Sequence, residues 1–209
     1  YARPRGETAG WQLDAPGRVG LADVVRGVHP TILIGTSGQP GSFTEDIVRD
    51  LAGHVERPII MPLSNPTVLA EAVPADLLAW TDGRALIATG SPFEPVALGD
   101  VTYTIAQANN ALVFPGLGLG VAVSRATRVT DGMIAAAARA VASIAQAMRP
   151  GDSLLPAMSD LRRVSATVAI AVAQQAASEG LAGRTLTDPV QEVFEAMWQP
   201  VYPELIPGD

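Results

Sequence analysis

Three short apolar runs set the limits on what this chain can fold into. They are Thr31-Ile32-Leu33-Ile34-Gly35, Pro58-Ile59-Ile60-Met61-Pro62-Leu63 and Ala85-Leu86-Ile87-Ala88-Thr89. Each is free of charge and closes on small or polar residues. Such runs read as buried strands of a parallel sheet. Segments of helical period separate them. Thr44 reads as an N-cap, Glu45 and Asp46 fill a first turn, and Ile47, Val48, Leu51 and Ala52 line one buried face. Pro74 to Trp80 reads as a short helix with Pro in its first turn, and Leu21 to Val28 as another. Alternation at about 25 residues per step implies an α/β architecture with a parallel sheet and flanking helices. Leu112-Val113-Phe114 is the expected fourth strand.

The character of the chain changes after Pro115, where it becomes Ala-rich and helical. Gly116-Leu117-Gly118-Leu119-Gly120 has Val121 where a dinucleotide fingerprint needs its third glycine, so it reads as a helix with a small-residue face against close neighbours. Val129-Thr130-Asp131 opens a helix expected to reach Met148 and to end at Pro150-Gly151. A second spans about Ser159 to Ser178, and a third Val190 to Trp198. The longest apolar stretches are broken by Arg139 or followed by Gln174 and Gln175, too soon to span a bilayer. The first residues are polar and turn-rich without an apolar core, so no targeting signal is read and a cytoplasmic location is expected.

Composition removes whole classes of chemistry. The 209 residues contain no Cys, two His (His29 and His54) and no Lys; all fourteen basic residues are Arg. Disulfides, thiolate or His-based metal sites, a Cys nucleophile and a Lys base or Schiff-base amine are thus outside this chain's means. Glu94, Asp100 and Asp131 stand isolated rather than as a metal cluster. A net charge of -7 with no basic run speaks against nucleic acid and anionic membrane as partners. The mean hydropathy of +0.24 is high for a free-standing domain and leads us to expect cover from another subunit or from further chain.

In open α/β sheets ligands bind beyond the carboxyl ends of the strands. Here those ends carry Gly35-Thr36-Ser37-Gly38, Ser64-Asn65-Pro66 and Thr89-Gly90-Ser91. Gly35 and Gly38 let backbone approach a ligand closely, although tight turns after strands call for the same residues. The first of these loops lacks the Lys of a nucleotide-phosphate loop, and Glu45 and Asp46 would repel a phosphate. Pro66 restricts Asn65 to extended backbone, which fixes where its amide points; an ordinary Asn-Pro turn is the alternative. Asn109-Asn110 stands beside an apolar run, where the amides need partners, either a ligand or loop backbone.

Taken in order, these strings resemble the malic enzymes. Ile32-Leu33-Ile34-Gly35-Thr36-Ser37-Gly38 with Phe43-Thr44 is similar to one block. Leu63-Ser64-Asn65-Pro66-Thr67 with Glu71 is similar to the next, followed by Ala88-Thr89-Gly90-Ser91-Pro92-Phe93 and by Gln107-Ala108-Asn109-Asn110 through Phe114-Pro115-Gly116. Arg128-Val129-Thr130-Asp131 and Trp198-Gln199-Pro200-Val201-Tyr202 also fit, so the likeness runs from about Leu21 to Tyr202. The Gly-Ser-Pro-Phe block resembles the large bacterial and mitochondrial forms.

The resemblance implies oxidation of L-malate with NAD or NADP and a divalent metal, Mg2+ or Mn2+, and decarboxylation to pyruvate and CO2. It places the family's metal ligands, catalytic Lys and Tyr and G-x-G-x-x-G fingerprint earlier than anything matched here. The chain then corresponds to a C-terminal portion. Residues 1–20 are a linker or cut start, 21–128 the later part of a Rossmann-like NAD(P)-binding domain, and 129–209 a helical segment. The resemblance implies substrate contacts at Asn65, Asn109 and Asn110 and cofactor contacts at Gly35, Thr36, Ser37, Gly38, Ser64, Asn65 and Asn109. Its implied partners are the rest of the same enzyme and further copies in a dimer or tetramer. Two alternatives stay open: a malolactic relative that releases lactate, and a non-catalytic NAD-binding or assembly module.

Overall fold

A computed structural model describes residues 4–145, 147–200 and 202. The expectations for Tyr1-Ala2-Arg3 and for Val201 lie outside the described residues. The chain divides into two compact units. One runs to Asn109 and includes Ala145–Met158; the other comprises Asn110–Ile144 and the chain from Ser159.

The first unit is built on a parallel sheet. Its strands are β1 (Ile32–Gly35), β2 (Ile59–Pro62) and β3 (Leu86–Thr89), the three apolar runs of the sequence. A hairpin of β4 (Val96–Leu98) and β5 (Val101–Tyr103) follows, and then β6 (Ala106–Gln107). The sheet order is β1-β2-β3-β6. The fourth strand is therefore not Leu112-Val113-Phe114. Asn110–Leu112 forms a 3-10 turn, and Phe114 opens a helix with Pro115 in its first turn. Proline presets helical φ and lacks the N–H that a ladder needs, so the apolar run is drawn into a helix. Ala106 and Gln107 pair with Ala88 and Thr89 instead.

Helices α1 (Leu21–Val28), α2 (Glu45–His54) and α3 (Pro74–Trp80) match their expected positions. Val25, Val48, Leu51, Leu77 and Leu78 from these helices close over Leu33, Ile60 and Ile87 of the sheet. All three cover the same face, so on the other Ile32 and Ile34 are about half exposed. The strand β1, expected as a buried strand of a parallel sheet, lies at the edge of that sheet and is buried on one face. Thr44 occupies the N-cap of α2, but its side chain makes no capping bond. The segment before α1 is no free linker. The Asp14 N–H donates to buried Asp23, and a Cβ on Gly27 would stand 2.6 Å from the Trp11 ring.

The second unit is helical: α4 (Phe114–Ser124), α5 (Asp131–Ile144), α6 (Leu161–Ser178) and α7 (Pro189–Ala196). The Gly-x-Gly-x-Gly stretch is a helix, as its sequence implied. A Cβ on Gly116 would lie 2.6 Å from Val168, and one on Gly120 would lie 2.7 Å from the Ala169 carbonyl, so glycine brings α4 directly onto α6. Helix α5 stops at Ile144, short of the expected Met148. Beyond it the chain joins the first unit, where the Gly151 carbonyl accepts from the Thr104 N–H at 3.0 Å. No helix among the described residues is long and apolar enough to cross a membrane.

Candidate functional site

Parallel register brings the strand ends of the first unit level with one another. Gly35 pairs with Pro62, the Leu63 N–H donates to the Gly35 carbonyl at 2.8 Å, and the Gly90 N–H donates to the Pro62 carbonyl at 3.2 Å. Past β6 the Ala108 N–H donates to the Thr89 carbonyl at 2.8 Å. The turn after β1, the Ser64-Asn65 loop, Gly90-Ser91 and Asn109 therefore share one end of the sheet.

A carboxylate lies beneath the first two loops. Glu71 is fully buried. It accepts from the Ser37 N–H at 2.7 Å, the Ser37 hydroxyl at 2.9 Å, the Ser64 N–H at 3.3 Å and the Ser64 hydroxyl. Its own carbonyl accepts from the Phe43 N–H at 3.1 Å. The Ser64 oxygen also accepts from the Gly38 N–H at 2.8 Å, and the Ser37 oxygen from the Gln39 N–H at 3.1 Å. Burial pushes the Glu71 pKa up, but the donors from Ser64 and Ser37 outweigh it and hold the carboxyl below its ordinary value. Gly35 makes the room: a Cβ there would sit 2.5 Å from the Glu71 carboxyl carbon and 2.7 Å from the Phe43 ring.

The Asn65 loop is tied to β3. The Ser91 hydroxyl donates to the Asn65 side-chain oxygen, and the Asn65 amide nitrogen lies 3.4 Å from the Leu63 carbonyl. The Asn65-Pro66 peptide is cis. A Cβ on Gly90 would stand 2.1 Å from the Leu63 carbonyl oxygen, so only glycine lets these loops meet. The Thr89 hydroxyl donates to the Ser91 carbonyl at 2.8 Å, and the Gln107 amide to the Gly90 carbonyl at 3.3 Å.

Of the residues singled out from sequence, Ser37, Gly38 and Ser64 gather around Glu71, with Gly35 buried below them. Asn65 is exposed beside Ser91, and Thr36 is exposed on the β1 turn. Asn109 is exposed where the first unit ends; Asn110 opens the second unit, where its carbonyl accepts from the Val113 N–H at 3.0 Å. Sequence reasoning had Glu71 only as a letter in a motif and gave no role to Gly90 or Ser91. An acidic residue among Ala70, Ala72 and Val73 was the available signal for a buried, saturated carboxylate. A separate cavity of about 350 Å³ lies at the opposite, amino ends of β2 and β3. The Nη1 of its Arg84 donates to the carbonyls of Ala52, Val55 and Glu56. Among the described residues no three His, Asp or Glu side chains come together to hold a metal.

The family profile described as "Malic enzyme, NAD binding domain" matches residues 1–177. The chain is 55% identical over 203 residues to NAD-dependent malic enzyme 3 of Bacillus subtilis, covering 97% of this chain and 36% of that protein. It is 53% identical over 196 residues to NAD-dependent malic enzyme of Edwardsiella ictaluri, covering 93% and 34%. Among solved structures, the malic enzyme of Pyrococcus horikoshii superposes with a TM-score of 0.65 at 29% identity, covering 85% of this chain and 36% of that one. The chain thus spans about a third of the length of the curated relatives it matches.

Proposed function

The chain belongs to the malic enzyme family, within the part that carries the NAD-binding domain, and from that premise we propose that the protein bearing it oxidises L-malate with NAD and releases pyruvate and CO2. When bound, NAD supplies the hydride acceptor. The chain's own residues present the surface on which substrate and cofactor meet. The observation that carries this reading is the exposed amide of Asn65. Its oxygen accepts from Ser91 and one of its N–H groups donates to the Leu63 carbonyl, which leaves the second N–H for a carboxylate or carboxamide oxygen. The open face of the β1 turn supports it: a Cβ on Gly38 would meet nothing within 4 Å, which leaves room for a ligand over Thr36, Ser37 and Gly38. Asn109 and Asn110 are proposed as further substrate contacts, with Asn109 and Ser64 also toward the cofactor. Orienting two reactants is worth several kcal/mol when a hydride must pass between them. The divalent metal, Mg2+ or Mn2+, and the groups that move protons are assigned to residues outside this chain.

The test is malate-dependent NAD reduction in the protein as its own gene encodes it, followed by product analysis. Pyruvate is expected; lactate would identify a malolactic reaction. Asn65→Ala or Asn109→Ala should lower kcat/KM for malate by about tenfold or more, the loss of one charge-assisted hydrogen bond of roughly 1.5–3 kcal/mol. Unchanged kinetics in both variants would remove the site.

A further inference from the structure

We propose that Glu71 is a positioning residue that locks the β1 turn to the Asn65 loop, so that the two meet substrate and cofactor as one surface. The inference rests on the malate reading for its kinetic consequence, but not for its geometry. Glu71 is sealed from solvent and does not itself reach a ligand. Its four donors come from two loops far apart in sequence, Ser37 from one and Ser64 from the other. A carboxylate only accepts, so both serine hydroxyls must turn their protons inward. Their lone pairs are then fixed toward the N–H groups of Gly38 and Gln39. The backbone donors of Ser37, Gly38 and Gln39 are all consumed inside this network. The turn thus offers none of these N–H groups to an anion, and the ligand meets the exposed side chains of Thr36 and Asn65 instead.

A buried charge satisfied only by neutral donors is a costly way to gain stability. An apolar side chain of similar volume usually serves at least as well. What a carboxylate adds is a single arrangement: any neutral replacement misdirects at least one donor. Glutamine at this place would aim an NH2 at the Ser64 N–H or at the two hydroxyls. Gly35 belongs to the same device, since a Cβ there would displace the Glu71 carboxyl.

The experiment combines hydrogen–deuterium exchange with steady-state kinetics on Glu71→Gln, Glu71→Asp, Gly35→Ala and Asn65→Ala, in the protein as its own gene encodes it. In Glu71→Gln, exchange should speed up about tenfold or more in both loops, Ser37–Gln39 and Ser64–Asn65, while amides of β2, β3 and α2 stay protected. kcat for malate-dependent NAD reduction should fall by about fivefold or more, with KM for NAD and for malate changing less. Gly35→Ala should reproduce this pattern, and Glu71→Asp should recover part of the loss. If Glu71→Gln does not fold, Glu71→Asp and Gly35→Ala carry the test. Loosening of only one loop, or neither, overturns the inference. So does a wild-type kcat in Glu71→Gln alongside an impaired Asn65→Ala, a result that leaves the malate reading standing. Should the wild-type protein fail to reduce NAD with malate, that reading falls and exchange alone decides: joint loosening upholds the lock, and separate behaviour refutes it.

Discussion

Gly90→Ala is the substitution whose cost can be worked most directly from the geometry. The new Cβ would stand 2.1 Å from the Leu63 carbonyl oxygen, about 1.3 Å inside ordinary contact at 3.4 Å. The obstacle is backbone of the neighbouring strand end and cannot swing away as a side chain would. Relief requires β2 and β3 to part at their carboxyl ends. Overpacking of this kind costs about 1–3 kcal/mol. Parting also strains the hydrogen bond from Gly90 to the Pro62 carbonyl, worth about 1 kcal/mol. The stiffer unfolded chain returns about 0.4–1 kcal/mol. The net loss is about 1–3.5 kcal/mol, or roughly 2–14 °C in Tm at about 2–4 °C per kcal/mol for a unit of this length. The same Cβ would fall 2.9 Å from the Asn65 amide nitrogen, so kcat/KM for malate should drop by about tenfold or more as well. Gly38→Ala is the control. Its Cβ meets nothing, but its φ of +65° costs an alanine about 1 kcal/mol. Urea midpoints for the two variants measure the difference. Equal losses, or a loss below about 0.5 kcal/mol in Gly90→Ala, would refute the claim that the β2–β3 contact is what glycine is there to permit.

Helix α4 offers a pair of substitutions with opposite signs. Gly118→Ala meets open space and should stabilise by about 0.5–1 kcal/mol through helix propensity, whereas Gly120→Ala drives a Cβ to 2.7 Å from the Ala169 carbonyl and should destabilise by about 1–2 kcal/mol net; thermal melts of the two variants check both signs. Acid sensitivity should trace to Glu71. Its folded-state pKa lies below the ordinary 4.5, so its contribution is in place above that value and is lost as pH falls through the folded one. Glu71→Gln should therefore flatten stability against pH below about 4.5. A residual slope should remain from Asp23, lowered by the Gly20 and Asp14 N–H groups, and from Glu179, lowered by Thr130 and Gln175.

The parts of this fold legible in sequence are those whose signal is local. The apolar runs at β1, β2 and β3 and the helical periods of α2 and α3 each fit within a single window, and Pro74 marks the start of α3 within a residue. One failure was local, since Pro115 turned the Leu112-Val113-Phe114 run into a helix, whereas the strand that replaced it depends on partners distant in sequence. Ala106-Gln107 becomes a strand only because Ala88 and Thr89 lie beside it, and two residues carry no period to detect. Helix α5 ends at Ile144, ahead of the segment whose Gly151 carbonyl accepts from the Thr104 N–H, rather than where a breaker stands. The β4–β5 hairpin did leave a mark, Gly99-Asp100 between Val-Ala-Leu and Val-Thr-Tyr, with Gly99 at a φ of +61°. At the site, Asn65 was legible because Pro follows it. Glu71 was not, because burial of a carboxylate is set by Ser37, 34 residues away, and by the absence of a side chain on Gly35.

The charge arrangement at this sheet end constrains how a malic enzyme can use it. Malate is a dianion, and an anion is best met by cations or by free backbone N–H groups. The turn after β1 spends the N–H groups of Ser37, Gly38 and Gln39 on Glu71 and the two serine hydroxyls, and Glu45 and Asp46 stand in the first turn of α2. This surface therefore contributes orientation rather than attraction. Its amides and hydroxyls can distinguish one oxygen from another and hold a plane, but they neutralise nothing. In the malate reading, the energy that draws the substrate in must come from a metal or from basic groups elsewhere in the protein. In the same reading, Asn65 and its neighbours decide which face the substrate turns toward the cofactor. Loss of Asn65 should therefore reduce turnover of bound malate more steeply than it weakens malate binding, because amides act where geometry rather than charge limits the reaction.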